Sequence, residues 1–378
     1  MTCQLCGGSP IPFWSVRGVP TSSCSIFPDA ESARALPLGD LALEVCPTCG
    51  FIQNAAFSAE AVDYLAPYEE SQASSPTFQR FAEETINTLL DRYPISGGTV
   101  LEVGCGKAEW LAMMCKAGDM QGIGIDPAYV AGRVPAADEK RFEVLLEFFG
   151  PGHELTGDLV ACRHTLEHIP NVAEFTRWLA KAATGTTGST VFVEVPDTER
   201  ILAEGAFWDM YYEHCAYFTI TSMANLASET GLSINDLRHA YSGQYLLLEA
   251  TPGESSSGFT DAASIVGAAT AFASRAEATI ERWREEIASA RLALWGATSK
   301  TVGFITATGA APEVVVDINP AKQGTFLPGS GARIVAPEAL VEVDPDLIVV
   351  MNPIYLDEIR AAARQLGSTA RLAALGQS

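Results

Sequence analysis

The chain is 378 residues long and carries a formal net charge of −22, from 46 Asp and Glu against 24 Lys and Arg. Its composition, 48% hydrophobic and only 19% charged, is that of a globular protein and excludes a disordered scaffold; at roughly 150 residues per domain the length predicts two or three domains. So acidic a surface repels phosphate backbones and anionic membranes, which excludes nucleic acid and membrane as partners but leaves open a small phosphorylated ligand held in a local pocket.

The first residues, MTCQLCGG, show neither the basic start nor the apolar core of a secretion signal, and no apolar run approaches the roughly 20 residues of a membrane span. A cytoplasmic protein is expected, so its nine cysteines should be reduced, and closely spaced pairs read as metal ligands rather than disulfides. Cys3 and Cys6 form one such pair and Cys46 and Cys49 another, followed at once by Gly7 and Gly50. Four thiolates suit tetrahedral Zn2+, and the glycines permit turns that aim backbone N–H groups at sulfur. With every position filled by thiolate the ion has no open site, so its expected task is structural: to hold residues 1–70 as a small zinc-binding, β-rich module. Four free cysteines or a redox pair is the alternative. Cys24 reads as a bystander, and LGDLALEVC as strand.

From Ser75 the pattern turns helical: a serine cap, Pro76 in the first turn, and apolar Phe78, Phe81, Ile86, Leu89 and Leu90. Residues 71–255 then alternate. GGTVLEVGCG is a buried strand ending in glycines, WLAMMCKAG a helix, MQGIGID a second strand, and DLVACRH and STVFVEV two more, which predicts a parallel, doubly wound sheet. Gly104 and Gly106 lie where strand meets helix and allow a ligand to approach the backbone. Asp126 closes the next strand, where a carboxylate meets ribose hydroxyls. His164 and His168, four apart in HTLEH, would share a helix face, but without a third nearby ligand they read better as pocket lining or packing than as a metal pair.

GESSSG at 253–258 reads as a linker and 261–292 as a long bridging helix of period about 3.6. LALWGAT, EVVVDIN and PDLIVVMN are buried-strand runs, so residues 256–378 should hold a second Rossmann-like unit. GATSKT lacks the spacing of a phosphate loop; a helix start there can still receive a pyrophosphate, which makes residues 296–301, with Lys300, candidate contacts for a substrate's nucleotide half. In 206–219, AFWDMYYEHCAYFT, aromatics crowd around one glutamate and one histidine, a density that suits a pocket. A histidine there is a candidate general base.

LEVGCGKAEWL, GIGIDP and ACRHTLEHIPN resemble successive motifs of the class I methyltransferases that use S-adenosylmethionine. That resemblance implies Gly104 and Gly106 along the methionine part of the cofactor, Glu102 at its amino group, Asp126 on the ribose, and His164 beside the adenosine. Where many members carry a third glycine this chain has Ala108. With the two cysteine pairs, Tyr211-x-Glu213-His214 and the C-terminal run DINPAKQGTFLPGSGARIVAPEAL, the resemblance extends over essentially the whole chain to the sugar C-methyltransferases of antibiotic biosynthesis. It implies a nucleotide-linked keto-deoxysugar as substrate, His214 as the base that takes the proton α to the ketone, Tyr211 as an assistant, and Glu213 as a group that holds substrate or tunes His214. It also implies that Tyr68, in the Tyr- and Ser-rich stretch from Tyr64 to Ser75, covers the sulfonium. Two departures stand out: Ala206-Phe207-Trp208-Asp209 replaces a more polar lead, and Glu194-Val-Pro-Asp197 replaces Glu-Asp-Pro. They keep open a non-sugar carbon, oxygen or nitrogen acceptor, and a non-catalytic zinc-bearing binding protein is the reading from another class.

Overall fold

A computed structural model describes residues 2–63, 67–183, 189–253 and 260–376. Tyr64 and most of the 253–258 linker stretch lie outside the described residues.

Three sheets organise the chain. The first is antiparallel, with order β1-β2-β3-β9, formed by β1 (Ile11–Pro20), β2 (Leu38–Val45) and β3 (Ile52–Asn54) and closed far along the chain by β9 (Ala216–Tyr217). A short helix, α1 (Ala30–Arg34), links β1 to β2 under an Asp29 cap.

The second sheet has seven strands in the order β10-β11-β8-β7-β4-β5-β6. Its parallel strands are β4 (Thr99–Val103), β5 (Gln121–Ile125), β6 (Phe142–Leu145), β7 (Leu159–Arg163) and β8 (Thr190–Pro196); β10 (Leu232–Ala240) and β11 (Tyr245–Pro252) add an antiparallel edge. β4, β7 and β8 are almost wholly buried because helices cover both faces, as an apolar parallel strand requires. One face receives α2 (Pro76–Arg92) and α3 (Glu109–Gly118). Ser75 caps α2 by accepting from Phe78 N–H. The other face receives α4 (Val172–Ala182), α6 (Ile220–Glu229) and both cysteine turns. Between them in the chain, α5 (Thr198–Glu204) is capped by Asp197.

The third sheet is wholly parallel, in the order β14-β13-β12-β15-β16: β12 (Leu292–Trp295), β13 (Val314–Val316), β14 (Ile334–Val335), β15 (Leu347–Val350) and β16 (Arg371–Ala374). The long α7 (Ala263–Ile287) reaches it and packs on α5, β1 and α8 (Ser299–Thr308), while α9 (Leu340–Val343) and α10 (Leu356–Gln365) cover the opposite face. The architecture is the α/β class expected from the sequence, two doubly wound parallel sheets behind a small β-rich unit. Strand order reverses between β4 and β7 and again between β12 and β15, and ligands bind open α/β sheets at such points. Both crevices open into one cavity. No helix among the described residues is long and apolar enough to cross a membrane.

Candidate active site

The cysteine turns have the same construction. Cys3 N–H donates to Gly8 O and Gly7 N–H back to Cys3 O at 2.8 and 2.9 Å; Cys46 N–H donates to Phe51 O and Gly50 N–H to Cys46 O at the same lengths. Gly7 and Gly50 both take left-handed φ, +73° and +71°, which closes each turn without a Cβ penalty. The four sulfurs lie within 4.8 Å of one another, and Cys3–Cys49 and Cys6–Cys46 are 3.6 and 3.5 Å apart. Four thiolates about 2.3 Å from a tetrahedral ion would stand roughly 3.8 Å apart, so the donor set fits zinc with little movement.

The cavity, about 750 Å³, is walled on one side by the turn after β4. Gly104 has φ +73°, and a Cβ there would come within 2.0 Å of Thr165 Oγ1. Gly106, at φ +52°, donates its N–H to Asp126 Oδ2 at 2.9 Å, and Ala128 N–H donates to Asp126 Oδ1 at 2.7 Å. The Asp126 carboxylate is thereby fixed at the tip of β5, with lone pairs left for a ligand's hydroxyls. Glu102 is 2% exposed, its Oε2 has no hydrogen-bond partner among the described residues, and burial pushes its carboxyl up to about 8. A buried, unsatisfied carboxyl beside a glycine turn suits a ligand that brings a cationic amine. Residues 67–75 cross the mouth of the cavity. Tyr68 is half-buried in its lining, Lys107 donates to Tyr68 O at 2.9 Å, and Glu69 takes Arg133 at 2.6 and 2.9 Å and Asn319 Nδ2 at 3.0 Å. Cys24, read from sequence as a bystander, also lines the cavity.

His164 and His168 do not share a helix face, which corrects the sequence expectation. The chain leaves β7 at His164 in a left-handed conformation, φ +47°, and then enters a single 3-10 turn, Leu166–His168. This sends the two rings to different partners. His164 Nε2 lies 2.8 Å from Glu194 Oε1, Nδ1 lies 3.5 Å from Glu167 Oε1, and the ring meets Tyr245 edge-on. Burial opposes charge on His164, but the two carboxylates outweigh it and raise the imidazole to about 9. Glu194 also accepts from Arg163 at 2.8 Å, and Arg163 lies over the Trp110 ring.

His168 instead meets His214, ring centroids 4.9 Å apart and nearly perpendicular. Its Nδ1 is 3.1 Å from Glu213 O, a carbonyl that can only accept. His214 is 8% exposed; burial, reinforced by His168, lowers its imidazole to about 3 and keeps it neutral. The Tyr211 ring stands 4.7 Å from it, and the Tyr211 hydroxyl donates to Asp209 Oδ1 at 2.9 Å. Asp209 also takes Arg200 Nη2 at 2.6 Å and pairs with Lys300, so a carboxylate in a stretch that reads as apolar lining joins α5, α8 and Tyr211.

Glu213 does not line the cavity. Its carboxylate is taken up by Ser23 N–H at 2.9 Å, by the Ser23 hydroxyl and by Ser22 Oγ at 3.3 Å. The geometry makes it an anchor between the 206–219 stretch and the loop after β1, outside the cavity lining.

Two family models match this chain: residues 77–237 match a methyltransferase domain and residues 264–371 a C-methyltransferase C-terminal domain. The chain is also similar to the C-methyltransferase NovU of Streptomyces niveus, 23% identical over 390 residues that cover 94% of this chain and 90% of that protein. The chain is an S-adenosylmethionine-dependent methyltransferase. Solved structures similar to the methyltransferase include the 1,6-didemethyltoxoflavin-N1-methyltransferase of Burkholderia thailandensis with S-adenosylhomocysteine bound (14% identity, TM-score 0.38, covering 49% of this chain and 80% of that one). Another is magnesium protoporphyrin IX methyltransferase from Synechocystis PCC 6803 with S-adenosylmethionine bound (17%, TM-score 0.34, 46% and 79%).

The methyltransferase thus brings Tyr68, Glu102, Gly104, Gly106, Asp126, His164, Tyr211 and His214 around one cavity and holds Cys3, Cys6, Cys46 and Cys49 apart from it. Glu167, Arg163, Glu194 and Asp209 are the residues that sequence reasoning passes over. A signal for Arg163 and Glu194 was available, because charged residues at the ends of apolar parallel strands point to the switch-point crevice. Nothing in the sequence marks Asp209 as the partner of Lys300, 91 positions away.

Proposed function

We propose that the enzyme methylates carbon on a ketone-activated, nucleotide-linked deoxysugar, with His214 removing the proton α to the carbonyl. The observation that carries the reading is a neutral buried imidazole, His214, in the wall of the cavity that also holds the glycine turn. Its volume lies within the usual range for a site that takes small molecules. Similarity to NovU along nearly the full length of both chains supports the carbon acceptor.

Glu102, Gly104, Gly106 and Asp126 would hold S-adenosylmethionine, with Tyr68 covering it; the orphaned Glu102 oxygen and the missing Cβ at Gly104 fit its ammonium and its close approach to the backbone. The bound cofactor supplies an electrophilic methyl carbon. His214 takes the α proton: the C–H bond breaks, an N–H bond forms, and the electron pair is left as an enolate facing the methyl carbon that the cofactor would supply, with the cofactor's thioether as the leaving group. Tyr211, with its proton committed to Asp209, presents oxygen lone pairs to an acceptor hydroxyl. The four cysteines would hold Zn2+ away from this chemistry.

One observation favours a second reading, a keto acceptor without a diphosphate. The cavity's cations are already engaged: Arg163 with Glu194, Arg200 and Lys300 with Asp209, Lys107 with Glu70, and Lys322 with Asp317. The test is mass analysis of keto acceptors, nucleotide-linked and free, deuterated α to the carbonyl and incubated with enzyme and S-adenosylmethionine. A product that loses deuterium as it gains methyl supports carbon methylation through a base. Methyl gained with deuterium fully retained would mean an oxygen or nitrogen acceptor and end the reading.

A further inference from the structure

The motif Tyr211-x-Glu213-His214 assigns His214 a carboxylate one residue away, yet that carboxylate is bound to Ser22 and Ser23. Glu167 stands at the imidazole instead. It is 2% exposed, and one of its oxygens lies within 4.8 Å of ring nitrogens of both His168 and His214. The backbone sets this arrangement: Cys215 N–H donates to Glu167 O at 3.0 Å while His168 Nδ1 meets Glu213 O at 3.1 Å, so the turn at 166–168 and the stretch at 213–215 are stitched side by side. His164 holds Glu167 Oε1 at 3.5 Å, and Glu167 Oε2 is buried without a hydrogen-bond partner among the described residues. An ionised oxygen left unsatisfied in a dry site is costly unless another state of the molecule uses it.

We propose that Glu167 is the positioning carboxylate of the proton-abstracting base, the group that orients His214 and balances its charge once it carries the α proton. The inference rests on the functional reading above and deepens it. Before abstraction Glu167 faces a neutral imidazole; afterwards it faces an imidazolium on a residue that is 8% exposed, where little solvent can stabilise that charge. The other charged groups around the pair are already matched: His164 lies between Glu167 and Glu194, Arg163 pairs with Glu194, and Asp209 with Arg200 and Lys300. Tyr211 and Tyr217 bring only phenols to the ring, and His168 brings a second imidazole whose Nδ1 is turned to a carbonyl. Glu167 is therefore the nearest anion available to a protonated His214.

The experiment follows proton exchange without methyl transfer. Enzyme with S-adenosylhomocysteine is placed in deuterium oxide with a thymidine-diphosphate-linked 4-keto-6-deoxyglucose as probe, and loss of the α-proton signal is recorded by NMR. Wild type should exchange and His214→Ala should not. Glu167→Gln should slow exchange about 10²-fold with S-adenosylhomocysteine affinity and metal content unchanged, and should move the acidic limb of the rate profile to lower pH, since losing the anion makes His214 a weaker base. Glu167→Asp should recover part of the rate. Glu213→Gln should slow exchange less than Glu167→Gln while lowering the melting temperature more.

Wild-type exchange rates and an unshifted pH profile in Glu167→Gln overturn the proposal and leave the functional reading intact. Loss of a bound metal equivalent in that variant also overturns it, because Glu167, His168 and His214 would then be ligands. If Glu167→Gln fails to fold, Glu167→Asp decides: a wild-type rate and profile overturn the proposal, a slower rate and lower acidic limb support it. Absence of exchange in wild type, or its persistence in His214→Ala, overturns the functional reading and this inference with it.

Discussion

His164 and His214 sit within one hydrogen-bonded turn of each other's partners, yet their imidazoles are displaced in opposite directions, and both displacements are statements about stability. His164 is raised from 6.5 to about 9 by Glu167 and Glu194 against the pull of burial. The native state binds that proton more tightly than the unfolded chain, so its contribution is complete below pH 6.5 and is lost as pH rises through 9. The size is at most about 3 kcal/mol, reduced by water at a ring that is 30% exposed. His214 is lowered to about 3. The fold tolerates it only neutral, so it costs nothing above pH 6.5 and destabilises progressively as pH falls from there toward 3. Urea unfolding across pH should show a loss on the alkaline side that His164→Gln abolishes and a loss on the acid side that His214→Asn flattens. Unchanged slopes in both variants would mean that neither imidazole is held as described. The sequence leaves His164 open between pocket lining and packing and offers His214 as a candidate base; both line the cavity, and the sequence carries no direction for either displacement. His164 acquires its partners only because the chain turns left-handed after β7, and a spacing of four suggests a helix that does not form. The same blindness misplaces Glu213, since adjacency in a motif does not say which side chain points into the cavity.

The strands that carry the glycine turns, β4 and β12, are legible because an apolar run ending in glycine or a small residue has few other uses. β9 is not legible. It is two residues long, and its register against β3, Ile52 with Tyr217 and Gln53 with Ala216, depends on a partner more than 150 positions away. This short pairing ties the cysteine module to the stretch that carries His214: β3 begins three residues after Cys49, and β9 begins two residues after His214. Asn54 N–H also donates to Cys215 O at 3.1 Å, and Gly39 in β2 leaves so little room that a Cβ would reach 2.1 Å from the Tyr212 ring. If the four cysteines hold zinc as proposed, its loss is expected to reach His214. Cys46→Ser, or treatment of the wild type with a strong chelator, should open residues 2–60 to protease and lower kcat at least tenfold, with S-adenosylmethionine binding, proposed to rest on the turns after β4 and β5, reduced far less. Loss of protection without loss of kcat would show that β9 keeps its place unaided.

At the scale of the whole molecule two fields compete for the acceptor. The chain carries −22 formal charges, which slows the approach of any anion, and the Debye length of about 10 Å at 0.1 M salt lets ionic strength weaken that repulsion from a distance. Inside the cavity, Arg200 and Lys300 share the single carboxylate of Asp209. Glu204 gives Arg200 a second carboxylate at 2.9 Å, so two cations meet two carboxylates beside the start of α8. A nucleotide diphosphate would meet repulsion at the surface and, inside, only cations that must exchange a carboxylate for it. Its kcat/KM should therefore rise several-fold as salt increases from roughly 0.01 to 0.1 M, where screening removes the long-range barrier, because the buried pair is screened much less. A neutral keto acceptor should show no salt dependence over the same range. A diphosphate acceptor whose kcat/KM falls with salt would mean that the Arg200–Lys300 cluster steers binding from outside the cavity. That requires Lys300 to leave Asp209 before the acceptor arrives, and Lys300→Ala would then abolish the salt effect along with most of the affinity.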